Sequence, residues 1–160
     1  MSKGGMVIQP IDLDSVKISD GVPVTQFSKE LACDPQKSIV VSACAGSGKT
    51  WLLVARMVRL LLDDVKPQQI LALTFTRKAA QEMRDRLYSL LQEFSTGDDQ
   101  AVTNALIERG LDASQMSTYL PKAKALYSQV LANPQPIVID TFHGWFGRLG
   151  YWWRGWCVYC

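Results

Sequence analysis

The sequence predicts an α/β fold, a parallel sheet with flanking helices, and three observations lead there. Short apolar runs rich in β-branched residues recur along the 160 residues: SIVVS at 38–42, QILALT at 69–74 and PIVID at 136–140. Helical periodicity fills much of the sequence between the last two and follows the first. A glycine-rich stretch, ACAGSGKT at 43–50, joins the first run to its helix. Strands that alternate with helices pair in parallel through crossover connections, which covers the sheet on its faces.

Taken in order, residues 1–24 read as a loosely ordered lead-in, broken by Gly4, Gly5, Pro10, Gly21 and Pro23. TQFSKELA at 25–32 suits a short helix that ends before Asp34-Pro35, because proline disfavours helix in the residue before it. SIVVS reads as a buried strand. KTWLLVARMVRLLLDD at 49–64 reads as a helix with only a narrow wet stripe of Leu52, Arg56, Arg59 and Asp63, closed by Pro67. QILALT lacks alternation and reads as a second buried strand.

RKAAQEMRDRLYSLLQEF at 77–94 is strongly periodic, with Ala80, Met83, Leu87, Leu90, Leu91 and Phe94 on one face. Glu82 and Arg86 stand in the favourable i,i+4 order. STGDD ends that helix, and residues 99–132 read as two or three helices interrupted near Gly110 and Pro121. PIVID reads as a third strand, followed by a helix starting in TFHGWFGRL.

A hydrophobic content of 48% and a charged content of 20% suit one globular domain. A net charge of +2 is too mild to argue nucleic-acid binding by itself. No apolar run approaches the roughly 18–20 residues that a membrane span needs, and the first residues do not resemble a secretory signal. The cysteines at 33, 44, 157 and 160 read as reduced thiols of a cytoplasmic protein. Cys157 and Cys160 form a C-x-x-C, but with His143 as the sole histidine the ligands of a zinc site are missing.

The stretch Ala43, Cys44, Ala45, Gly46, Ser47, Gly48, Lys49, Thr50 carries the chemistry. In G-x-x-x-x-G-K-[ST], successive backbone N–H groups cradle phosphates, and the lysine reaches the β- and γ-phosphates. The hydroxyl, here that of Thr50, binds Mg²⁺. The following helix turns the positive end of its dipole on the same anion. Ala43 stands where the pattern has glycine, and an ordinary glycine-rich turn is the alternative. A strand before the loop and a helix after it favour the phosphate cradle. Cys44 reads as a small packing residue.

With ILALTFTRKAAQEMRDRL and DTFHGWFGRL following in order, residues 36–149 resemble the UvrD/Rep-type superfamily 1 DNA helicases, and within them the RecB/AddA helicase–nuclease subunits. The resemblance implies a RecA-like P-loop NTPase fold, incomplete in its first motor domain. That partial ATP-binding domain spans 25–149, with a helical insertion at about 96–133. It implies ATP and Mg²⁺ as cofactors, held by 43–50 with Lys49 and Thr50 as the catalytic pair. It implies single-stranded DNA as a partner, contacted by Thr74, Phe75, Thr76, Arg77, Thr141, Phe142 and His143, and a helicase–nuclease partner subunit. Gln26 loosely matches the glutamine that reads adenine in the family. Trp51 replaces the arginine common after Lys-Thr; it either stacks on adenine or lies in the core.

Judged by spacing alone, Phe75 and Phe142 read as core residues, with Arg77 and Lys78 opening a solvated helix, and only the resemblance turns them toward DNA. Asp140, ending an apolar strand, is a rival magnesium ligand, although Thr141 follows it where the ATPases that use such an aspartate have glutamate. No Asp-Glu pair follows an apolar strand, so weak Mg-ATP binding with little turnover is expected. A non-catalytic nucleotide- and single-strand-binding fragment is one alternative. A small P-loop kinase is another, without a convincing lid of phosphate-binding arginines. GYWWRGWCVYC at 150–160 shifts composition where the resemblance stops, which suggests a truncated or frame-shifted tail and poor solubility, a genuine apolar terminal segment being the alternative.

Overall fold

A computed structural model describes residues 33–36 and 48–154, with side chains through Arg148. The elements are α1 (Lys49–Leu62), β1 (Leu71–Thr74), α2 (Arg77–Thr96), α3 (Asp99–Glu108), α4 (Met116–Ala132), β2 (Val138–Thr141) and α5 (Phe142–Arg154). Short 3₁₀ turns lie at Pro67–Gln69 and Ala113–Gln115. The expected lead-in, the helix at 25–32, the strand at 38–42 and residues 155–160 lie outside the described residues. None of the helices among the described residues is long and apolar enough to cross a membrane.

β1 and β2 pair in parallel, Leu71 opposite Val138 through Thr74 opposite Thr141. Together with the helices this is a helix-rich α/β arrangement. Val138 N–H donates to the Ile70 carbonyl at 3.1 Å, so the polar groups of Val138 face β1. In a parallel ladder the next residue turns its own groups to the other edge. There the Ile139 carbonyl, pointing away from β1, accepts from Arg84 Nη2 at 2.9 Å, so α2 supplies its partner.

α2 is the organising helix. Thr76 caps it, its hydroxyl accepting from Ala79 N–H at 3.1 Å, an interaction worth about 1 kcal/mol. Its buried face is Ala80, Met83, Leu87, Leu90, Leu91 and Phe94, the set the periodicity predicts, and Arg86 pairs with Glu82 at 2.6 Å. That face packs on α4 and on both strands within one continuous apolar cluster. Gly97 ends the helix where a Cβ would come within 2.8 Å of the Glu93 carbonyl oxygen, and Asp98 then caps α3 by accepting from Ala101 N–H at 2.7 Å.

Four expectations need correction. The second strand begins at Leu71 rather than Gln69, because Pro67–Gln69 closes a 3₁₀ turn, and Leu71 is 45% exposed rather than buried. α1 ends at Leu62, ahead of Pro67, with Asp64 at φ 62 turning the chain. The four-residue stripe on α1 is only partly open to water: each member is half-buried, and Arg56 donates to the Asp34 carbonyl at 2.7 Å. Pro121 does not interrupt a helix but sits inside α4, near its start and exposed, where water can serve the carbonyl left without its usual donor.

Candidate functional site

The strand register sets two like junctions side by side at the carboxyl end of the sheet, Thr74 opposite Thr141. Each threonine is followed by a phenylalanine, and each chain then enters a helix. The Thr74 hydroxyl donates to the Thr76 carbonyl at 2.9 Å, drawing the first junction tight before Thr76 caps α2. At the second junction Gly144 N–H donates to Thr141 Oγ1 at 3.0 Å, so Thr141 serves as the cap of α5.

Between these capped ends the two rings meet. Phe75 and Phe142 have centres 5.6 Å apart and planes inclined at 40°. Phe75 is 90% exposed and Phe142 39%, which rules out the core reading for Phe75. An aromatic ring exposed to solvent offers a face on which a nucleic-acid base stacks. Arg77 and Lys78, the first residues of α2, and His143, the second of α5, are also exposed. Strand ends of α/β sheets are where ligands gather, because the loops there are positioned by rigid elements.

Asp140 and Arg148 brace the second junction, a role that no periodic signal in the sequence reveals. Asp140 Oδ1 accepts from Thr141 N–H at 2.7 Å, and Oδ2 is ion-paired with the Arg148 guanidinium. A Cβ on Gly144 would lie 2.7 Å from Asp140 Oδ1, so the carboxylate can fold over the start of α5 only because residue 144 is glycine. Both carboxylate oxygens of Asp140 thus have a partner at this junction.

The described part of the glycine loop is Gly48, Lys49 and Thr50. Gly48 is left-handed, φ 87 and ψ 14, and no atom lies within 4 Å of the place a Cβ would take. Its requirement for glycine is therefore conformational rather than steric. Lys49 is exposed and Thr50 half-buried in the first turn of α1. Residues 43–47 and Gln26 lie outside the described residues. Trp51 turns into the helix packing, where the Arg109 guanidinium lies 5.4 Å from its ring centre. Burial, opposed by Glu108, Cys33 and Glu93, holds that guanidinium below the usual arginine range.

The family model of the UvrD/REP helicase N-terminal domain matches residues 24–148. The chain belongs to this family. Among its relatives, DNA helicase II of Escherichia coli (strain K12) is 38% identical over 95 residues, 59% of this chain and 13% of that protein. An ATP-dependent helicase/nuclease subunit of Ligilactobacillus salivarius (strain UCC118) is 37% identical over 84 residues, 52% of this chain and 7% of the relative. An ATP-dependent DNA helicase PcrA of Leuconostoc citreum is 52% identical over 56 residues, 34% and 8% of the two chains. The chain thus spans only a small part of the length of these relatives. No solved structure matches it.

Proposed function

We propose that the chain is the ATP-binding N-terminal portion of an ATP-dependent DNA helicase, with a nucleotide loop at 43–50 and a single-strand platform at the sheet's carboxyl edge. The observation that carries the proposal is the pairing of Phe75 with Phe142 between two capped strand ends, in a chain of the UvrD/REP helicase family. Thr74, Phe75, Thr76 and Arg77 form one side of the platform and Thr141, Phe142 and His143 the other. Bases stack on the rings, and Arg77 and Lys78 meet phosphates.

The residues at the start of α1 suit a nucleotide. Gly48 adopts the conformation a phosphate-wrapping turn uses, Lys49 stands in solvent within reach of a bound anion, and the helix dipole adds a positive end. Lys49 would hold the β- and γ-phosphates and Thr50 the Mg²⁺. Mg-ATP, when bound, supplies the phosphoryl bond whose hydrolysis drives the helicases. Turnover by this chain alone is little or none, since no Asp-Glu pair follows an apolar strand and Asp140 is tied to Arg148. The same proposal includes a cytoplasmic location and, because some relatives are named as one subunit of a helicase/nuclease, a partner protein that completes the assembly.

ATP hydrolysis measured with and without single-stranded DNA tests this assignment. Mg-ATP binding with turnover near background is expected. Robust DNA-stimulated turnover would show that the chain is a motor in its own right. Phosphate transfer to a small acceptor would replace the helicase assignment with a kinase.

A further inference from the structure

A buried arginine far along the chain joins the start of α1 to the end of α3. Arg109 is 8% exposed, and its guanidinium lies between two rings, 5.4 Å from the centre of Trp51 and 5.8 Å from that of Phe94. Its Nη1 donates to the Ala105 carbonyl at 2.6 Å, turning the side chain back along its own helix. Both distances fall within the range where a cation is attracted to an aromatic face, and desolvation strengthens that attraction. Phe94, 1% exposed, cannot move without disturbing the core, so it fixes the guanidinium on one side. The guanidinium in turn backs Trp51.

The backbone around Arg109 makes a second attachment. Gly110, at φ 79, closes α3, and Leu111 N–H donates back to the Leu106 carbonyl at 3.3 Å. The carbonyls of Arg109 and Gly110 that this turn projects accept from Arg59 Nη1 at 3.3 and 2.8 Å. The end of α3 therefore grips α1 at its third residue and again about two turns later. Lys49 and Thr50 immediately precede the upper grip.

We propose that Arg109 is a positioning residue for Lys49 and Thr50: held against Phe94 and Trp51, it sets the rotation and seating of the first turn of α1. The proposal rests on the nucleotide-loop assignment above. Arg109 touches no nucleotide itself; its effect passes through Trp51.

Mg-ATP and Mg-tripolyphosphate affinities of the intact chain, of Arg109→Met and of Arg109→Lys test it, with single-stranded DNA affinity measured on the same preparations. Arg109→Met is expected to weaken both phosphate ligands by about tenfold, the low end of what supporting residues contribute to a bound ion. DNA affinity stays within about twofold, because Phe94 lies at the far end of α2 from Arg77 and Lys78, and Arg109→Lys recovers part of the loss. Equal loss of nucleotide and DNA binding, or unchanged nucleotide binding, overturns the proposal. Should Arg109→Met fail to fold, Trp51→Leu tests the same link. It should lose tripolyphosphate and ATP alike, whereas loss of ATP alone would assign Trp51 to the adenine and overturn the positioning role. If the intact chain binds no Mg-ATP, the nucleotide assignment itself fails, a result distinct from unchanged affinity in the variants.

Discussion

Phe75→Ala separates a binding platform from a piece of the core more cleanly than any other substitution in this chain. With 90% of its surface in solvent, the side chain has little burial to lose, so the hydrophobic penalty of truncation is small. What folding loses is the contact with Phe142 at 5.6 Å, worth at most about 0.5–1.5 kcal/mol and less at so exposed a site. What binding loses is one stacked base, about 1–3 kcal/mol, or roughly 5- to 150-fold in affinity. Fluorescence anisotropy of a labelled oligothymidine reports the second quantity, and a thermal melt of the same sample reports the first. A melting curve close to that of the parent chain, with DNA affinity down at least about fivefold, is expected. Unchanged DNA affinity would refute the stacking role. A large drop in melting temperature would show that Phe75 supports the fold despite its exposure.

Two further outcomes follow from charges. Replacing both Arg77 and Lys78 with alanine should flatten the dependence of log affinity for single-stranded DNA on log salt by about 1.4, or 0.7 for each lost phosphate contact, as salt titrations will show. The junction of α1 and α4 should weaken in alkali. Tyr119 donates to Asp63 at 3.0 Å, and burial first, then this bond, lifts its phenol above the ordinary 10.0; Lys122 reaches Asp64 at 2.6 Å, and that bond lifts its ammonium above 10.5. Groups with raised folded-state values contribute stability that is complete below the unfolded values and is lost as pH rises through the folded ones. Melting temperature should therefore fall above about pH 10, and the double variant Tyr119→Phe, Lys122→Met should lose part of that slope.

The helices were legible because their causes are local. The six buried residues of α2 recur at helical spacing. The strands were harder to bound, since QILALT has no alternation and the turn at Pro67 takes its first residue. Pro121 misled for a physical reason: near the start of α4 and on its exposed side it removes one donor and little else. The two ends of the proposed DNA platform were singled out only by likeness to a family. That Phe75 meets Phe142 depends on the register of strands distant in sequence, which no local pattern carries. Arg109 and Arg59 carried no signal at all. Each reads as an ordinary charged helix residue until the end of α3 folds onto α1.

The claim that this chain carries the nucleotide site of a helicase motor is tested most directly by calorimetric titration with Mg-ATP, run on the parent chain and on Lys49→Ala. Saturable binding to the parent and its loss in the variant are expected, with a thermal melt showing that both chains are folded. Equal affinity in the two proteins, or no saturable binding to a folded parent, would contradict it.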